Sequence, residues 1–588
     1  MARKLSGGGI IARMLAAEDV DTVFGIIDGT YYGLYASLPD VAIRLISPRH
    51  ETSAAHMAGS YARVTGRLGV CIASNGPGVA NVLPGVAAEQ AEGNRVLLIT
   101  SSRRHGITYP DRGGTYQYFD QVAVTRPMTR WAGHAATRDR IPELLRRALR
   151  AAYDGRPGVV HLDVPEDVIN GVAEVDLDLG APATYRRTGP LPPDPGAIEE
   201  LAGRLAAADR PLIHAGSGVL HAGAEAELEA VAEQLHAAVT TSWGGRGVLR
   251  ETSPHAVPMV HVDLVDRVRN EADVALVLGS RLGETDWWGR PPNWAPADRL
   301  PTVQVDLDAQ VLGANRPVVQ AIQADVGSTL RALRTALAAI DDGRRTAARR
   351  AWLTELVEAR RRDRARLDEA RRGTGEGVHP AVVPATAQEV LPDDTLWVLD
   401  GGNTAVWSHF HLELRQPRSI LTTFKFGMLG AGMAQAIGAQ VAAPDRPVCC
   451  LTGDGAFGMH PQEVETAVRH QLPVIYVVFA DRQWGMVKMS QAIASRPVRT
   501  VARKLVGDRP PPDGSTIYAD LAPIDHAALA RSMGAHGERV GSADELAPAL
   551  RRCLDAGRPS VVHVEVDAGA HLWAPGLRAF KKMHEEPS

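Results

Sequence analysis

The sequence predicts an α/β protein of three doubly wound domains, each built on a parallel sheet. Short runs rich in β-branched residues recur at 70–74, 96–101, 159–164, 275–279, 303–307 and 474–480, and helical patterns separate them. This alternation is typical of parallel sheets covered by helices. The length of 588 residues is more than one hydrophobic core usually organises.

Two segments of unusual composition set the predicted domain boundaries. The prolines at 176–196 lack backbone donors and exclude a long helix, so we predict a linker there. The segment 341–380 mixes Arg, Asp, Glu and Ala, which favours a solvated helix crossing between domains over a basic binding face. The predicted domains are 1–175, 190–340 and 375–570, with a C-terminal tail at 571–588.

Composition and charge exclude several classes of function. Lys+Arg 64 and Asp+Glu 68 give a net charge of -4 without long blocks of one sign, so we expect no nucleic-acid partner. Apolar runs fall well short of the roughly 18 to 20 residues of a membrane span, so we expect no membrane partner either. The N-terminal apolar stretch contains Arg13, Glu18 and Asp19, which favours a first helix over a secretory signal. The four cysteines lack metal spacing, as is typical of reduced core residues in a cytoplasmic protein.

The segment 448–486 carries the strongest local signal. A buried strand runs into Gly453-Asp454-Gly455, a helix follows, and a second buried strand ends at Asp481. A glycine turn at a helix start exposes backbone N–H groups to a phosphate. Asp454 would hold a divalent cation there, and the end of the neighbouring strand brings Asp481 to the same edge. A bare GDG is usually only a turn, so the whole unit carries this prediction.

Two further segments stand out. SPRHETSAAHMAGSYARVTGRLGVCIASNGPGVAN, at 47–81, places Glu51 at the start of a predicted helix, where an acid also suits the helix dipole. FKFGMLGAGMAQAIGA, at 424–439, opens a helix of small residues, which by itself indicates tight packing.

Together these segments resemble the thiamine-diphosphate enzyme superfamily of acetolactate synthase, pyruvate decarboxylase, oxalyl-CoA decarboxylase and 2-hydroxyacyl-CoA lyase. The resemblance covers nearly the whole chain and implies pyrimidine-binding, central and diphosphate-binding domains, in that order. It implies that the Asp454 and Asp481 side chains and the Gln483 carbonyl ligate Mg²⁺. The pair at 480–481 is Ala-Asp, where the superfamily usually has two asparagines. Aspartate keeps an oxygen ligand and adds a negative charge.

The resemblance also implies the residues around the cofactor. Glu51 is the carboxyl group that protonates the pyrimidine ring and so promotes loss of the thiazolium C2 proton. Gln117 faces the substrate, at a position where oxalyl-CoA decarboxylases carry a glutamate; Asp28 and His50 are weaker candidates. The Gly427 carbonyl accepts a hydrogen bond from the pyrimidine amino group, and Leu429 bends the cofactor. The other implied cofactor contacts are Asn403, Thr404, Gly453, Gly455, Ala456 and Met486.

Two reaction classes stay open at this point: a decarboxylating 2-oxo acid carboligase resembling acetolactate synthase, and a lyase of 2-hydroxyacyl-CoA or oxalyl-CoA. Gln117, Met486 and Val487 favour the first. Ser490, where many synthases have tryptophan, and the lyase-like WWGRPPNW at 287–294 favour the second. A non-catalytic homologue is a third reading, against which the intact Glu51 and Asp454 argue.

The resemblance leaves the central domain and the assembly partly open. Such a central domain carries FAD, ADP or no nucleotide. Because superfamily members bind the cofactor between two chains, the resemblance implies a homodimer or homotetramer acting on a small 2-oxo acid or acyl-CoA substrate.

Overall fold

The computed structural model describes residues 3–175, 179–340, 343–369, 371, 376–495 and 516–576. These residues form three six-stranded sheets, all parallel, and one two-stranded antiparallel ribbon. The predicted fold class is thereby confirmed. The chain divides into two compact units: the first comprises 1–189, 426–445 and 460–474, and the second comprises 190–425, 446–459 and 475–588.

The first unit contains the first sheet, in the strand order β3-β2-β4-β5-β7-β6. Its strands are β2 (Thr22–Gly25), β3 (Arg44–Ile46), β4 (Gly69–Ala73), β5 (Val96–Ser102), β6 (Trp131–His134) and β7 (Val159–Pro165), and the ribbon pairs β1 (Arg3–Ser6) with β8 (Val172–Val175). Strands β4, β5 and β7 are buried along their whole length, which explains their continuous apolar sequences.

The helices of the first unit come from all three of its chain segments, 1–189, 426–445 and 460–474. The helices are α1 (Gly7–Ala17), α2 (Tyr32–Tyr35), α3 (Glu51–Thr65), α4 (Pro77–Glu92), α5 (His105–Thr108), α6 (Gln121–Thr125), α7 (Arg140–Tyr153), α8 (Glu166–Asn170), α17 (Ala431–Ala442) and α19 (Glu463–Arg469). The small-residue helix is α17, which packs on α3: a Cβ added at Gly438 would lie 2.2 Å from the Met57 carbonyl oxygen. Glycine there permits the close approach.

The second unit contains the second sheet, in the order β11-β10-β9-β12-β13-β14. Its strands are β9 (Pro211–Ala215), β10 (Ala238–Thr241), β11 (Ala256–Val257), β12 (Val274–Leu278), β13 (Thr302–Asp306) and β14 (Gln320–Gln323). Helices of this region are α9 (Pro195–Ala206), α10 (Ser217–Ala222), α11 (Glu225–Leu235), α12 (Val262–Glu271), α13 (Val326–Ala338) and α14 (Gly343–Glu369).

Helix α14 differs from the solvated helix that the charges at 341–380 predict. Trp352, Leu353 and Leu356 are buried, and the Trp352 indole donates a 3.0 Å hydrogen bond to Glu271 of α12. The many charges around these apolar residues mask one buried face. The helix therefore packs on the second unit along that face.

The third sheet also belongs to the second unit, in the order β16-β15-β17-β18-β20-β19. Its strands are β15 (Leu396–Leu399), β16 (Ile420–Thr422), β17 (Val448–Gly453), β18 (Ile475–Ala480), β19 (His536–Val540) and β20 (Ser560–Glu565). Its helices are α15 (Val382–Val390), α16 (Asn403–His411), α18 (Asp454–Phe457), α20 (Gly485–Ser495), α21 (His526–Ser532), α22 (Ala543–Asp555) and α23 (Ala568–His571).

The remaining expectations concern the cysteines, the linker and membrane spans. Cys71 in β4, Cys449 and Cys450 in β17, and Cys553 in α22 are free and buried, as predicted for core residues. The described part of 176–196 holds only a short 3₁₀ turn at Pro182–Thr184 before α9 begins. Among the described helices, none is long and apolar enough to cross a membrane. Positions 577–588 of the predicted tail lie outside the described residues.

Candidate active site

Three neighbouring strands of the third sheet end at one edge, and each end leads into a helix. Strand β15 leads to α16 at Asn403, β17 leads to α18 at Asp454, and β18 leads through Asp481 to α20 at Gly485. Carboxyl ends of adjacent parallel strands meet at the same sheet edge, which is where open α/β sheets bind ligands. Residues far apart in the sequence therefore come together here.

Glycines allow the loops of this edge to touch. A Cβ at Gly453 would lie 2.9 Å from Thr404 Oγ1, and a Cβ at Gly485 would lie 2.7 Å from Asn403 Nδ2. Gly402 similarly makes room for the Met486 side chain, whose Cγ lies 3.2 Å from the position of an added Cβ. Of the residues implied as cofactor contacts, Asn403, Thr404, Gly453 and Met486 thus border this edge.

Asp454 links the first turn of α18 to the loop after β18. Its carboxylate accepts hydrogen bonds from the backbone N–H of Gly455 at 2.8 Å and of Arg482 at 2.7 Å. Asp454 and Asp481 are both buried. Burial, followed by the nearby charge of Asp481, raises the pKa of Asp454 above the usual range of an aspartate. A divalent cation would relieve the repulsion between these two carboxylates.

The Gln483 carbonyl is positioned by a short backbone pairing. Trp484 N–H donates to the Ala519 carbonyl at 2.8 Å, and Leu521 N–H donates to the Arg482 carbonyl at 2.7 Å. Gln483 lies between these two bonds and opposite Asp520. The backbones of Gln483 and Asp520 do not hydrogen-bond to each other, because this is a non-hydrogen-bonded pair of an antiparallel bridge. Its own carbonyl therefore points away from this segment, which leaves it available as a ligand.

Two carboxylates and one carbonyl suit a cation that also binds phosphate. No group of three or more His, Cys, Asp or Glu residues able to hold a metal occurs among the described residues. Mg²⁺ is commonly held by one or two carboxylates together with phosphate oxygens. The donor set of Asp454, Asp481 and Gln483, which we call the metal half-site, fits Mg²⁺ bound with a diphosphate.

His571, in α23, is a residue of this edge that the sequence reasoning missed. Its Nδ1 lies 2.5 Å from Asp481 Oδ2, and its Nε2 lies 3.2 Å from Thr404 Oγ1. Its carbonyl accepts hydrogen bonds from Asn403 Nδ2 and Trp407 Nε1, both at 3.1 Å. An aspartate at position 481, where asparagine is usual, needs a hydrogen-bond donor as its partner. No local pattern in the sequence points to a donor that lies 90 positions further along the chain.

In the first unit, Glu51 is the first residue of α3, but its side chain does not cap that helix. His50 is the cap, since the Thr52 N–H donates to His50 Nδ1 at 3.2 Å. Glu51 Oε2 instead accepts a 3.1 Å hydrogen bond from Asn81 Nδ2. The weaker candidate His50 therefore has a structural role, and the Glu51 carboxylate contacts Asn81 of α4.

Glu51 and Gln117 lie beside the same glycine turn. A Cβ at Gly76 would be 2.7 Å from the Gln117 carbonyl oxygen, which also accepts a 3.0 Å hydrogen bond from Asn75 Nδ2. A Cβ at Gly78 would be 3.6 Å from Glu51 Oε1. Gly76 has φ +62°, a conformation that favours glycine. The structure thus brings these two predicted residues together, although 66 positions separate them in the sequence.

A buried polar network, which the sequence did not reveal, supports this turn. Gln121 Oε1 accepts from the Gly76 N–H at 2.9 Å, and Gln121 Nε2 donates to Asp163 Oδ1 at 2.8 Å. His134 Nδ1 lies 2.6 Å from Asp163 Oδ2. Although burial acts to raise the pKa of Asp163, the hydrogen bond from His134 and the other polar neighbours hold it below its usual range. A charged, fully hydrogen-bonded Asp163 anchors the turn.

Asp28 and the loop before α17 also contain predicted residues. Asp28 caps a 3₁₀ turn by accepting from the Thr30 N–H at 2.8 Å, which gives it a structural role. Gly427 has φ +71° and faces open space, and Leu429 is half-buried. The preceding residue, Phe426, donates its N–H to Glu92 Oε1 at 3.0 Å. Burial raises the pKa of this glutamate to about 7.

Models of known protein families match this chain. Models of thiamine pyrophosphate enzymes match three parts of the chain: the N-terminal TPP binding domain at 5–124, the central domain at 198–333 and the C-terminal TPP binding domain at 400–564. The chain belongs to the thiamine pyrophosphate enzyme family and is a thiamine-diphosphate-dependent enzyme.

Curated relatives include enzymes of several activities. The acetolactate synthase large subunit of Mycobacterium tuberculosis is 31% identical, over 96% of each chain. The sulfoacetaldehyde acetyltransferase of Castellaniella defragrans is 31% identical, over 92% of this chain and 89% of its own. A probable 2-ketoarginine decarboxylase of Pseudomonas aeruginosa is 34% identical, over 83% of this chain and 84% of its own.

Proposed function

We propose that this enzyme is a Mg²⁺-dependent carboligase that decarboxylates a small 2-oxo acid and joins the remaining acyl group to a second carbonyl compound. The observation that carries the proposal is that Glu51 and a neutral Gln117 both lie beside the Gly76–Gly78 turn. The relatives named as acetolactate synthases and acetyltransferases support it.

The chain's own residues would bind and orient the cofactor. Asp454, Asp481 and the Gln483 carbonyl would hold Mg²⁺ against the diphosphate, which Asn403, Thr404, Gly453, Gly455 and Ala456 would border. When bound, thiamine diphosphate supplies a nucleophilic carbon and accepts the electron pair released with CO₂. Glu51 would protonate the pyrimidine ring, the Gly427 carbonyl would accept from its amino group, and Leu429 and Met486 would fix its shape.

Gln117 bears on the choice between ligation and simple decarboxylation. An acid beside the reacting carbon would protonate it and release an aldehyde. An amide orients the substrate without supplying that proton, which leaves time for attack on a second carbonyl. Gln117→Glu should therefore raise the share of aldehyde product, whereas the matched Gln117→Asn should leave the product ratio near that of the wild type.

The acyl-CoA lyase reading is supported mainly by the tryptophan-rich segment at 287–294. Trp287 and Trp294 are buried, the Trp294 indole donates to the Asp286 carbonyl at 2.9 Å, and the Arg269 guanidinium lies 4.5 Å from the Trp294 ring centroid. Core packing of the second unit accounts for these tryptophans without a thioester ligand. We therefore favour the carboligase.

The glycines at one edge of the second sheet are relevant to whether the central domain binds a nucleotide. A Cβ at Gly216 would lie 2.2 Å from the Gly279 carbonyl oxygen, and one at Gly218 would lie 2.6 Å from Gly279 Cα. Close backbone packing accounts for these glycines. Because the proposed reaction transfers no net electrons, we do not assign FAD or ADP a part in the chemistry.

We also infer a homodimer as the minimum assembly. Tyr32, Tyr109, Tyr116 and Tyr118 are exposed in the first unit, and exposed aromatic side chains of this kind are typical of interfaces. Static light scattering on the purified protein tests this; a monomer in the presence of cofactor and Mg²⁺ would contradict it.

The deciding experiment compares kcat/KM for pyruvate and other 2-oxo acids, with and without an aldehyde or ketone acceptor, against a 2-hydroxyacyl-CoA. We expect ligated product and acceptor-dependent turnover of a 2-oxo acid. If the thioester is preferred by more than about tenfold, roughly 1.4 kcal/mol in the transition state, the lyase replaces the carboligase.

A further inference from the structure

The two oxygens of Asp481 have different surroundings. Oδ2 lies 2.5 Å from His571 Nδ1 and accepts a 3.0 Å hydrogen bond from Gln483 Nε2. Because a carboxylate oxygen only accepts, His571 Nδ1 carries the hydrogen in this contact. Oδ1 has no hydrogen-bond partner among the described residues. The protein thus occupies one oxygen of Asp481 with donors and leaves the other available as a ligand.

This arrangement inverts the hydrogen-bond polarity of an asparagine at the same position. An asparagine that ligates through Oδ1 presents an Nδ2 donor on its other side, which needs an acceptor. Aspartate presents an acceptor there, which needs donors. His571 and Gln483 are the donors that this chain supplies.

The imidazole of His571 is held on several sides. Its Nε2 lies 3.2 Å from Thr404 Oγ1, and its ring stacks on Phe479 at a centroid distance of 5.8 Å. The backbone of α23 is fixed by Asp567, whose carboxylate accepts from two N–H groups at the start of that helix. His571 is only 3% exposed. Its Nδ1 therefore keeps a fixed direction towards Asp481.

We propose that His571 is a positioning residue for the metal half-site, which holds Asp481 so that Oδ1 faces the cation and which makes aspartate workable in place of asparagine. The inference rests on the proposed metal role of Asp454 and Asp481. Contacts that orient metal ligands typically affect metal affinity by about 10–100-fold.

Two substitutions of His571 separate its two ring contacts. In His571→Asn, the amide nitrogen takes the place of Nδ1 and still donates to Asp481. In His571→Gln, the amide reaches the place of Nε2 and serves Thr404 instead. Binding of Mn²⁺, an EPR-visible substitute for Mg²⁺, is titrated in the presence of thiamine diphosphate. We expect affinity within about threefold of wild type for H571N and a loss of at least tenfold for H571Q.

A double-mutant cycle of Asp481→Asn and His571→Asn tests the same match of donor and acceptor, starting from the metal ligand. D481N alone places an amide donor against two donors and should weaken Mn²⁺ binding by about tenfold. H571N added to D481N offers a carbonyl acceptor and should recover most of that loss. Since D481N keeps the histidine, it still tests the proposal if H571Q fails to fold. His536→Gln, at a histidine of β19 that pairs with Glu538, is the control and should bind Mn²⁺ as the wild type does.

Asp454→Ala distinguishes failure of this inference from failure of the metal half-site. Wild-type affinity in H571Q and D481N, with binding abolished in D454A, overturns the positioning role and leaves the half-site standing. Equal losses in H571N and H571Q also overturn it, because the ring would then only fill space. Wild-type affinity in D454A removes the half-site itself.

Discussion

Substituting Glu51 by glutamine would separate its chemical role from its place at the start of α3. The side chain is half-buried, and a glutamine oxygen can still accept from Asn81 Nδ2, whose present contact is 3.1 Å. The change in folding stability should therefore stay within about 0.5 kcal/mol. Turnover should fall by about 10²–10⁴-fold, the usual range for a lost acid–base group and equivalent to roughly 3–5 kcal/mol of barrier.

Asn81→Ala measures how strongly turnover depends on the orientation of Glu51 alone. It removes one hydrogen bond to a half-buried carboxylate, worth about 1 kcal/mol. Turnover should then fall by only about fivefold. A loss in N81A as large as that in E51Q would show that placement, not proton transfer, dominates.

The assay is hydrogen–deuterium exchange at C2 of the bound cofactor, measured by NMR after acid quench, beside steady-state turnover and thermal melting. Exchange should slow in parallel with turnover in E51Q. If exchange in E51Q equals that of the wild type, the proton-relay role is wrong and Glu51 serves only its structural contact with Asn81.

The metal half-site, the Gly76 turn and the central domain provide separate tests. Asp454→Ala should lose Mg²⁺-dependent retention of thiamine diphosphate without unfolding. In the wild-type protein, burial and the charge of Asp481 raise the pKa of Asp454, so protons compete with the cation for this carboxylate. The affinity for Mg²⁺ should therefore fall as the pH is lowered from about 8 to about 6. Constant affinity over that range, by calorimetry, would contradict this competition and show that the Asp454 carboxyl is already ionised at pH 6. Gly76→Ala should cost about 1–3 kcal/mol and reduce turnover, whereas Gly66→Ala, with φ +73° and open space around an added Cβ, should keep turnover. Removing any bound flavin should leave carboligation intact, and loss of activity restored by FAD would contradict this.

The fold could be predicted because its signals are local. Each buried strand and each helix that follows it can be predicted from a short stretch of sequence. The segment around Asp454 joins four such stretches in the right order. Helix α14 shows the limit of this reasoning: its three buried apolar residues are outnumbered by charges, so the sequence alone predicted a solvated helix.

The candidate site was predictable where one motif contains the residue and not where distant elements meet. Glu51, Asp454 and Asp481 follow from their segments, and their roles toward the cofactor stay predictions. His571 contacts Asp481 across 90 positions, and Asp163 supports the Gly76 turn through Gln121. Such contacts depend on sheet order and on side-chain direction, which no local pattern specifies.

The four buried cysteines give the protein internal reporters of local opening. Burial raises the pKa of the Cys71 thiol in the first unit and of the Cys449, Cys450 and Cys553 thiols in the second. A maleimide reagent can modify them only when the surrounding structure opens, because it needs both access and a thiolate. Labelling followed by mass spectrometry therefore measures the opening of each unit without engineered probes. Slower labelling of Cys449 and Cys450 on addition of Mg²⁺ and cofactor would record how strongly ligands stabilise β17, the strand that leads into Asp454.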